Sequence, residues 1–189
     1  MTDIDKARRI ANQIERSLRF ATEAHTEHPL RDKNAVRLWD GSTPYIVHPA
    51  WCAMTILCEP TLDETIRLNG FMALMWHDVL EDTCITSLPK DTSPDIVEYI
   101  VEYVEQMTFK NFDEELSSVW TRPADIRLLK LYDKTSNLLD GTWMNDEKWN
   151  QYTEFTRTLA ADVEQNFGLL NIVKIARSIA IPRTDNILT

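Results

Sequence analysis

The sequence predicts an all-α protein, and three observations support this fold class. Apolar residues recur with the 3.6-residue period of a helix in several long segments. Capping residues and prolines stand where these segments begin, and glycines stand where two of them end. No segment of convincing length alternates apolar and polar residues as a half-buried strand does. Because 189 residues fit one domain, we predict a single domain over residues 1–189, with a core at about residues 4–180 and a loose C-terminal tail.

The N-terminal part of the chain is predicted to contain two helices separated by a loop. Apolar residues three and four positions apart predict an amphipathic helix over residues 4–26. Residues 28–43 combine proline, paired charges and an Asp-Gly-Ser turn, which is typical of a loop. Pro49 suits the first turn of a second helix, which continues to Leu57.

Six further helices are predicted. Thr61 and Glu64 have the capping-box spacing, so the helix that carries residues 77–82 is predicted to begin there. The six tryptophans are expected to lie mostly in the core that these helices enclose. The other predicted helices are one that begins at Ser93-Pro94, a short one over residues 111–118, one from Thr121-Arg122-Pro123 to Gly141, one over residues 146–167 before Gly168, and one over residues 169–180.

Composition argues against several classes of protein. The net charge of −10 argues against a nucleic-acid polymer as partner, because such binding depends on neutralising many phosphates. No run approaches the roughly 18 apolar residues that span a bilayer, and residues 1–9 lack the apolar core of a signal peptide. The three cysteines are odd in number and lack zinc-finger spacing, which favours reduced thiols. We therefore predict a cytoplasmic protein with no membrane partner.

One histidine and three carboxylates end an apolar run within the predicted third helix. Side chains three and four apart on a helix are neighbours, so His77 lies beside Glu81, and Asp78 lies beside Glu81 and Asp82. Three acids this close repel one another unless a cation, a shared proton or solvent offsets their charge. The cluster therefore has two interpretations, a divalent-metal site and a solvated C-terminal turn.

Two more polar residues stand where a core residue would be expected. His48 is at the mouth of the second helix, and Asp133 lies inside an apolar helix. Together with His77 and Asp78 they form a mixed nitrogen and oxygen donor set for a divalent transition ion. Ligand type permits Mn²⁺, Fe²⁺, Co²⁺ and Zn²⁺, and manganese suits the set well. Ca²⁺ prefers oxygen donors alone and is disfavoured.

The order of these residues resembles the H…HD…D pattern of the HD-domain phosphohydrolases, a helical superfamily. Three motifs make the resemblance narrower. Residues 44–49, PYIVHP, resemble the PYIxHP motif of the RelA/SpoT hydrolase domain. Residues 77–83, HDVLEDT, resemble its HDxxEDT motif, and residues 131–137, LYDKTSN, resemble its LADRLxN motif. The chain is similar over about residues 14–180 to the small stand-alone SpoT-like hydrolases of animals and bacteria.

This resemblance implies an HD-domain helical bundle with a specific activity. The family's enzymes are Mn²⁺-dependent and remove the 3′-diphosphate from guanosine tetra- or pentaphosphate, giving GDP or GTP and pyrophosphate by attack of metal-activated water. By position, the implied metal ligands are His48, His77, Asp78 and Asp133. Glu81 and Asp82 match the family's catalytic acidic pair.

The sequence also contains candidate substrate-binding residues, and the resemblance implies two of them. Asn137 matches the family's asparagine near the ribose and phosphate, and Arg37 falls where the family places a base-contacting arginine. Lys130 and Arg127, N-terminal to Asp133, are candidate phosphate partners, with a solvated helix face as the alternative. Tyr152 is a candidate for stacking on a base, with core packing as the alternative.

Because the sequence departs from the family motifs at several positions, the motifs do not determine the identity of the substrate. Leu38 stands where the family commonly has lysine, and Tyr132, Thr135 and Trp76 change residues beside the motif ligands. One alternative is therefore an HD phosphohydrolase with another nucleotide substrate, either an NADPH phosphatase or a (deoxy)nucleotide phosphohydrolase. The other is a non-catalytic nucleotide-binding protein. All three interpretations predict a small-molecule nucleotide as the partner.

Overall fold

The computed structural model describes residues 2–27, 35–88 and 94–183, with side chains described throughout these ranges except at residues 94–99. Within these ranges the chain is all-α, as predicted, and its β structure is limited to isolated bridge residues, among them Val36 and Pro44, which pair with each other. The described part contains nine α-helices: α1 (Asp3–Glu27), α2 (Val47–Leu57), α3 (Glu64–Trp76), α4 (Val79–Asp82), α5 (Pro94–Met107), α6 (Phe112–Ser118), α7 (Ala124–Leu139), α8 (Asp146–Phe167) and α9 (Asn171–Ile179).

Helix α1 confirms the predicted amphipathic helix to within a residue at each end. Three of its four buried side chains are small, Ser17, Ala21 and Ala24, and they let it pack closely on α3. The indole Nε1 of Trp76 donates to the carbonyl oxygen of Ser17 at 3.3 Å, and the Ser17 hydroxyl donates to the sulfur of Met72 at 2.8 Å. These bonds fix the end of α3, where the predicted polar cluster begins.

The start of α3 differs from the prediction. Asp63, not Thr61, is the capping residue, because its backbone is extended and its carboxylate accepts from the Thr65 amide at 2.7 Å. The helix also stops at Trp76, so residues 77–82 are not part of one continuous helix. Two non-helical positions intervene before α4, although the Asp82 amide still donates to the Asp78 carbonyl at 2.8 Å.

Helix α7 lies at the centre of the fold and packs against α2, α5, α8 and α9. It begins one residue after Pro123, close to the predicted Thr121-Arg122-Pro123 start, and a 3-10 turn over Gly141–Trp143 follows its end. Most of its residues are buried, among them the charged residues Lys130, Asp133 and Lys134. The buried apolar side chains of the described helices form one hydrophobic cluster around it. The assignment of residues 1–189 to a single domain stays a prediction.

The last two helices agree closely with the sequence. Helix α8 spans the predicted residues, is capped by the Asn145 side chain, and ends at Gly168, whose φ of 81° lies in the left-handed region. Helix α9 is shorter than the predicted residues 169–180. Ser93, residues 28–34 of the predicted loop and residues 184–189 of the predicted tail lie outside the described residues.

Three tryptophans contradict the expectation that this residue type lies mostly in the core. Trp39, Trp120 and Trp143 are 53%, 38% and 41% exposed, whereas Trp76 is buried. Each of the three lies in a turn or a 3-10 segment at the surface, and from there the Trp120 ring packs edge-on against the buried Phe155, with the ring centroids 6.0 Å apart. No described helix combines the length and the apolar character that crossing a membrane requires.

Candidate metal centre and cleft

Four side chains from three separate segments meet beneath α7. His48 comes from the first turn of α2, His77 and Asp78 from the junction between α3 and α4, and Asp133 from the middle of α7. The Nε2 atoms of His48 and His77 are 3.2 Å apart. Oxygens of Asp78 lie 3.1 Å from Nε2 of His77 and 3.3 Å from Nε2 of His48. The Asp133 Oδ1 atom lies 3.4 Å from Nε2 of His48 and 3.8 Å from Nε2 of His77.

Four of these five separations fit donor atoms arranged around one ion. Two donors that each lie about 2.1 Å from an ion are about 3.0–3.5 Å apart at tetrahedral or octahedral angles. The fifth separation, from Asp133 Oδ1 to His77 Nε2, is 3.8 Å and so about 0.3 Å longer than that range. His48, His77 and Asp133 each offer a donor atom, and the three atoms lie within 4.8 Å of one another. Asp78 contacts both imidazoles. The group therefore fits an HD-type metal site, and ligation by each of the four residues stays a prediction.

Hydrogen bonds on the outer nitrogens orient both imidazoles toward the cluster. His77 Nδ1 lies 2.7 Å from the carbonyl oxygen of Leu74. Because a carbonyl only accepts, this nitrogen donates, and the lone pair of the neutral ring is left on Nε2, facing the cluster. His48 Nδ1 lies 2.8 Å from the Ser136 hydroxyl. Tyr45 adds a bond from its hydroxyl to Asp78 at 2.8 Å. Ser136 and Tyr45 belong to the recognised motifs, but sequence reasoning gave them no role.

The electrostatics of the cluster favour a bound cation. Burial acts to raise the pKa of Asp78, but the charges of His77 and His48 hold this pKa well below its usual range. Burial likewise acts to lower the pKa of His77, but Asp78 and Asp133 outweigh it and raise the pKa to about 9. The two carboxylates therefore hold negative charge that a proton or a metal ion must offset. A divalent ion would compete with the proton on His77.

A second charged group lies on the far side of Asp133. Lys130 and Lys134 place their ammonium groups 2.7 and 3.2 Å from its Oδ2 atom. Glu115 pairs with Lys130 at 2.9 Å and with Lys134 at 2.6 Å. Burial acts to lower the pKa of each lysine, but Asp133 and Glu115 outweigh it and raise both values, so both lysines stay charged. Sequence reasoning missed Lys134 and Glu115. Lys134 follows Asp133 directly, which was an available signal, whereas Glu115 sits in an acidic helix that resembles a solvated one.

A cleft of about 460 Å³ opens onto the cluster. Its size is within the range of small-molecule sites. Among the described residues, one more carboxylate than cationic side chain lines it. The carboxylates are Asp78, Glu81, Asp82, Glu115, Asp133 and Asp140, and the cations are Arg37, Lys110, Lys130, Lys134 and Lys148.

The predicted catalytic pair lies in this cleft. Glu81 accepts a hydrogen bond from the Phe109 amide at 3.1 Å, which fixes one of its oxygens. Burial and the neighbouring Asp78 carboxylate raise the pKa of Glu81. Asp82 is buried and lines the same cleft. The catalytic roles of both residues stay predictions.

The four predicted substrate contacts also line the cleft, but each has a partner within the protein. Arg37 pairs with Asp140 at 2.5 Å and lies over the Tyr45 ring, and Lys130 is held by the ion pairs described above.

The other two predicted contacts also have partners. Asn137 donates to Asp133 Oδ1 at 2.7 Å, and the Tyr152 ring stacks on Phe112. The contacts of all four residues with substrate stay predictions.

Two other candidates from the sequence lie elsewhere. Arg127 does not line the cleft, because its guanidinium binds Asp162 through two hydrogen bonds of 2.8 and 3.0 Å and joins α7 to α8. The alternative, a solvated helix-face charge, does not describe it either, because the side chain is only 15% exposed and is ion-paired within the protein. Trp143 and Lys148, which the sequence did not single out, line the cleft instead.

These features define an all-helical protein whose buried His and Asp side chains fit a metal site of the HD-domain type. Among solved structures, the fold matches that of a metazoan SpoT ortholog described as hydrolysing ppGpp and playing a role in starvation responses. The TM-score is 0.63 and the sequence identity is 20%, and the match covers 88% of this chain and 93% of that chain. The resemblance predicted from the motifs is thereby confirmed in the fold. No protein-family model and no curated protein matches the sequence.

Proposed function

We propose that this chain is a metal-dependent phosphohydrolase that removes the 3′-diphosphate of guanosine tetra- and pentaphosphate, releasing pyrophosphate and GDP or GTP. The meeting of His48, His77, Asp78 and Asp133 at a cleft that also holds Glu81 is the observation that carries this proposal. The fold supports it, because the matching metazoan SpoT ortholog hydrolyses ppGpp. The proposal extends to residues 1–189 as one HD domain and to a cytoplasmic location.

The donor set suits Mn²⁺, although other divalent transition ions fit the same ligands. His48, His77, Asp78 and Asp133 would hold the ion. When bound, it would lower the pKa of a water molecule from about 15.7 toward about 7 and offset charge on a phosphoryl oxygen. The ion would also reverse the sign of a cleft in which carboxylates outnumber cationic side chains by one. A highly anionic substrate needs that reversal.

Residues of the chain supply the remaining steps. Glu81 or Asp82 orients the attacking water and takes its proton, and the raised pKa of Glu81 brings it closer to neutral pH, which suits a general base. Lys130 and Lys134 keep Asp133 ionised and contribute positive charge to the cleft in which the diphosphate binds. Asn137 fixes the orientation of Asp133 and lies where it can also reach the substrate.

Product analysis tests the proposal directly. Incubation with ppGpp and Mn²⁺ is expected to yield GDP and pyrophosphate in equal amounts, measured by anion-exchange chromatography. Asp78→Ala is expected to abolish this turnover, because Asp78 contacts both imidazoles of the cluster. Asp113→Ala, at an exposed position on α6, is the matched control and is expected to retain activity. Release of orthophosphate in place of pyrophosphate would contradict the reaction while leaving the metal site intact.

One observation favours a second candidate, a phosphohydrolase for another nucleotide. Leu38 lines the cleft and is 60% exposed, so an apolar side chain occupies the position beside Arg37 where the RelA/SpoT hydrolase family commonly has lysine. NADPH and (deoxy)nucleotides are the substrates to compare, in a panel with ppGpp and Mn²⁺. Faster turnover of any of these than of ppGpp would favour the second candidate. Absence of turnover together with absence of bound metal would favour a non-catalytic nucleotide-binding protein.

A further inference from the structure

Cationic and aromatic side chains alternate along one wall of the cleft, from Asp133 to the mouth. The Lys134 ammonium lies 5.5 Å from the ring centroids of both Phe112 and Tyr152. The Lys148 ammonium follows, 5.9 Å from the Tyr152 centroid and 4.3 Å from the Trp143 centroid. Such a wall can accommodate a ligand that carries anionic groups at separate positions.

The inner and outer ends of this wall differ in how the lysine charge is balanced. Lys134 is buried and pairs with two carboxylates. Lys148 has no ion pair with any described residue, and its ammonium group lies over the face of Trp143. An aromatic ring attracts an ammonium group without neutralising it. The charge of Lys148 therefore stays available to an anion in the cleft.

The segment that carries Trp143 is firmly held. Gly141 lies so close to Trp149 that a Cβ atom there would be 2.6 Å from the indole Cζ3. Arg183 donates to the Met144 carbonyl at 2.7 Å and lies over the same indole, 4.4 Å from its centroid. Trp143 thus presents its ring from an anchored turn, although 41% of its surface is exposed.

We propose that Trp143 is a positioning residue that holds Lys148 in the cleft mouth, and that the pair forms an outer subsite for a phosphate group that does not react. This inference rests on the proposed function and assigns a binding site to the phosphate of that substrate on the second ribose position. The reacting phosphate lies at the His and Asp cluster, and the other phosphate binds Lys148.

Two nucleotides that differ in one phosphate test the subsite. Guanosine 3′,5′-bisphosphate and guanosine 3′-monophosphate lack a pyrophosphate bond, so the Mn²⁺-loaded wild-type protein can be titrated with each by calorimetry. We expect the bisphosphate to bind more tightly. Trp143→Ala should raise its Kd about threefold to tenfold and leave the Kd of the monophosphate unchanged. Trp143→Phe should restore most of the difference, since a ring is still present.

A double-mutant comparison separates positioning from direct contact. Lys148→Gln should remove the preference for the bisphosphate, and adding Trp143→Ala to it should cause no further loss. Trp120→Ala and Lys174→Gln, at exposed positions that do not line the cleft, are the controls, and thermal unfolding checks that every variant is folded.

Three results would overturn the inference: equal weakening of both nucleotides by Trp143→Ala, no effect of that substitution, or additive losses in the double variant. A wild-type protein without preference for the bisphosphate would overturn it as well. Failure of the proposed function is distinct, because it is the absence of pyrophosphate release from ppGpp, and a selective effect of Trp143→Ala would support the subsite even then.

Discussion

Both nitrogens of the His77 imidazole make contacts that prepare the ring to bind a metal ion. Its Nδ1 donates to the carbonyl of Leu74 in the last turn of α3, and its Nε2 faces His48, Asp78 and Asp133. The backbone therefore fixes the ring orientation before any ligand binds, which is how proteins usually prepare histidine ligands. The break between α3 and α4 turns Asp78 toward the same point.

Glu81 provides a prediction at the residue scale. Glu81→Gln keeps the size of the side chain and removes the proton acceptor, so kcat for pyrophosphate release should fall by about 10²–10⁴. Manganese content, measured by atomic absorption, should stay at the wild-type level, because Glu81 is not in the His and Asp group. Glu105→Gln, at an exposed position on α5, is the control. A wild-type kcat in Glu81→Gln would show that another group takes the proton.

At the scale of elements, Glu59 connects three helices. It follows α2, and its buried carboxylate accepts from the backbone amides of Asn171 and Ile172 at 3.0 and 2.7 Å and from the Tyr132 hydroxyl at 3.2 Å. The first amides of a helix have no partner within that helix, and Leu170 before α9 cannot cap them with its side chain. A carboxylate from elsewhere in the chain satisfies them and suits the positive end of the helix dipole.

Loss of this carboxylate should destabilise the protein without affecting the metal site. Glu59→Ala leaves buried amides and a buried hydroxyl unsatisfied, so we expect the free energy of unfolding in urea to fall by about 1–3 kcal/mol. Glu59→Gln retains an acceptor oxygen and should lose less. Glu154→Ala, exposed on α8, serves as the control. If Glu59→Ala and the control had equal stability, α9 would not depend on this contact.

At the scale of the whole molecule, the metal site joins segments that are far apart in the sequence. His48, His77 and Asp133 come from α2, the end of α3 and α7, and all three are buried. An unfolded chain cannot bring these residues together, so an ion that binds them favours the folded state. Metal binding and stability are therefore linked.

This linkage can be measured by chemical unfolding with and without metal. Mn²⁺ at about 100 times its Kd should raise the free energy of unfolding by about 2.7 kcal/mol, and a chelator should reverse the increase. His48→Gln should lose the effect. Ca²⁺, which prefers oxygen donors alone, should give a much smaller increase. Equal stabilisation of the wild-type protein and His48→Gln would place the bound ion elsewhere.

The apolar periodicity of the sequence and the residues that begin and end helices were sufficient to predict most of the fold. Gly168 marks the end of α8, and the apolar spacing in residues 4–26 predicts α1, because local propensity and capping act over one or two turns. Local signals were not sufficient at Thr61, where the carboxylate of Asp63 two residues later caps α3 instead, nor at residues 77–78, where the helix breaks.

By itself, the sequence determined which side chains could form the metal site, because the motifs that contain His48, His77-Asp78 and Asp133 can be recognised without coordinates. Only the tertiary structure decided what surrounds them. Glu115 looks like a solvated acid on a short helix but is buried between Lys130 and Lys134, and Trp143 looks like a core residue but lines the cleft. The burial and partners of a side chain depend on helices that are distant in sequence, and their packing is set by the sum of many weak contacts that no local pattern encodes.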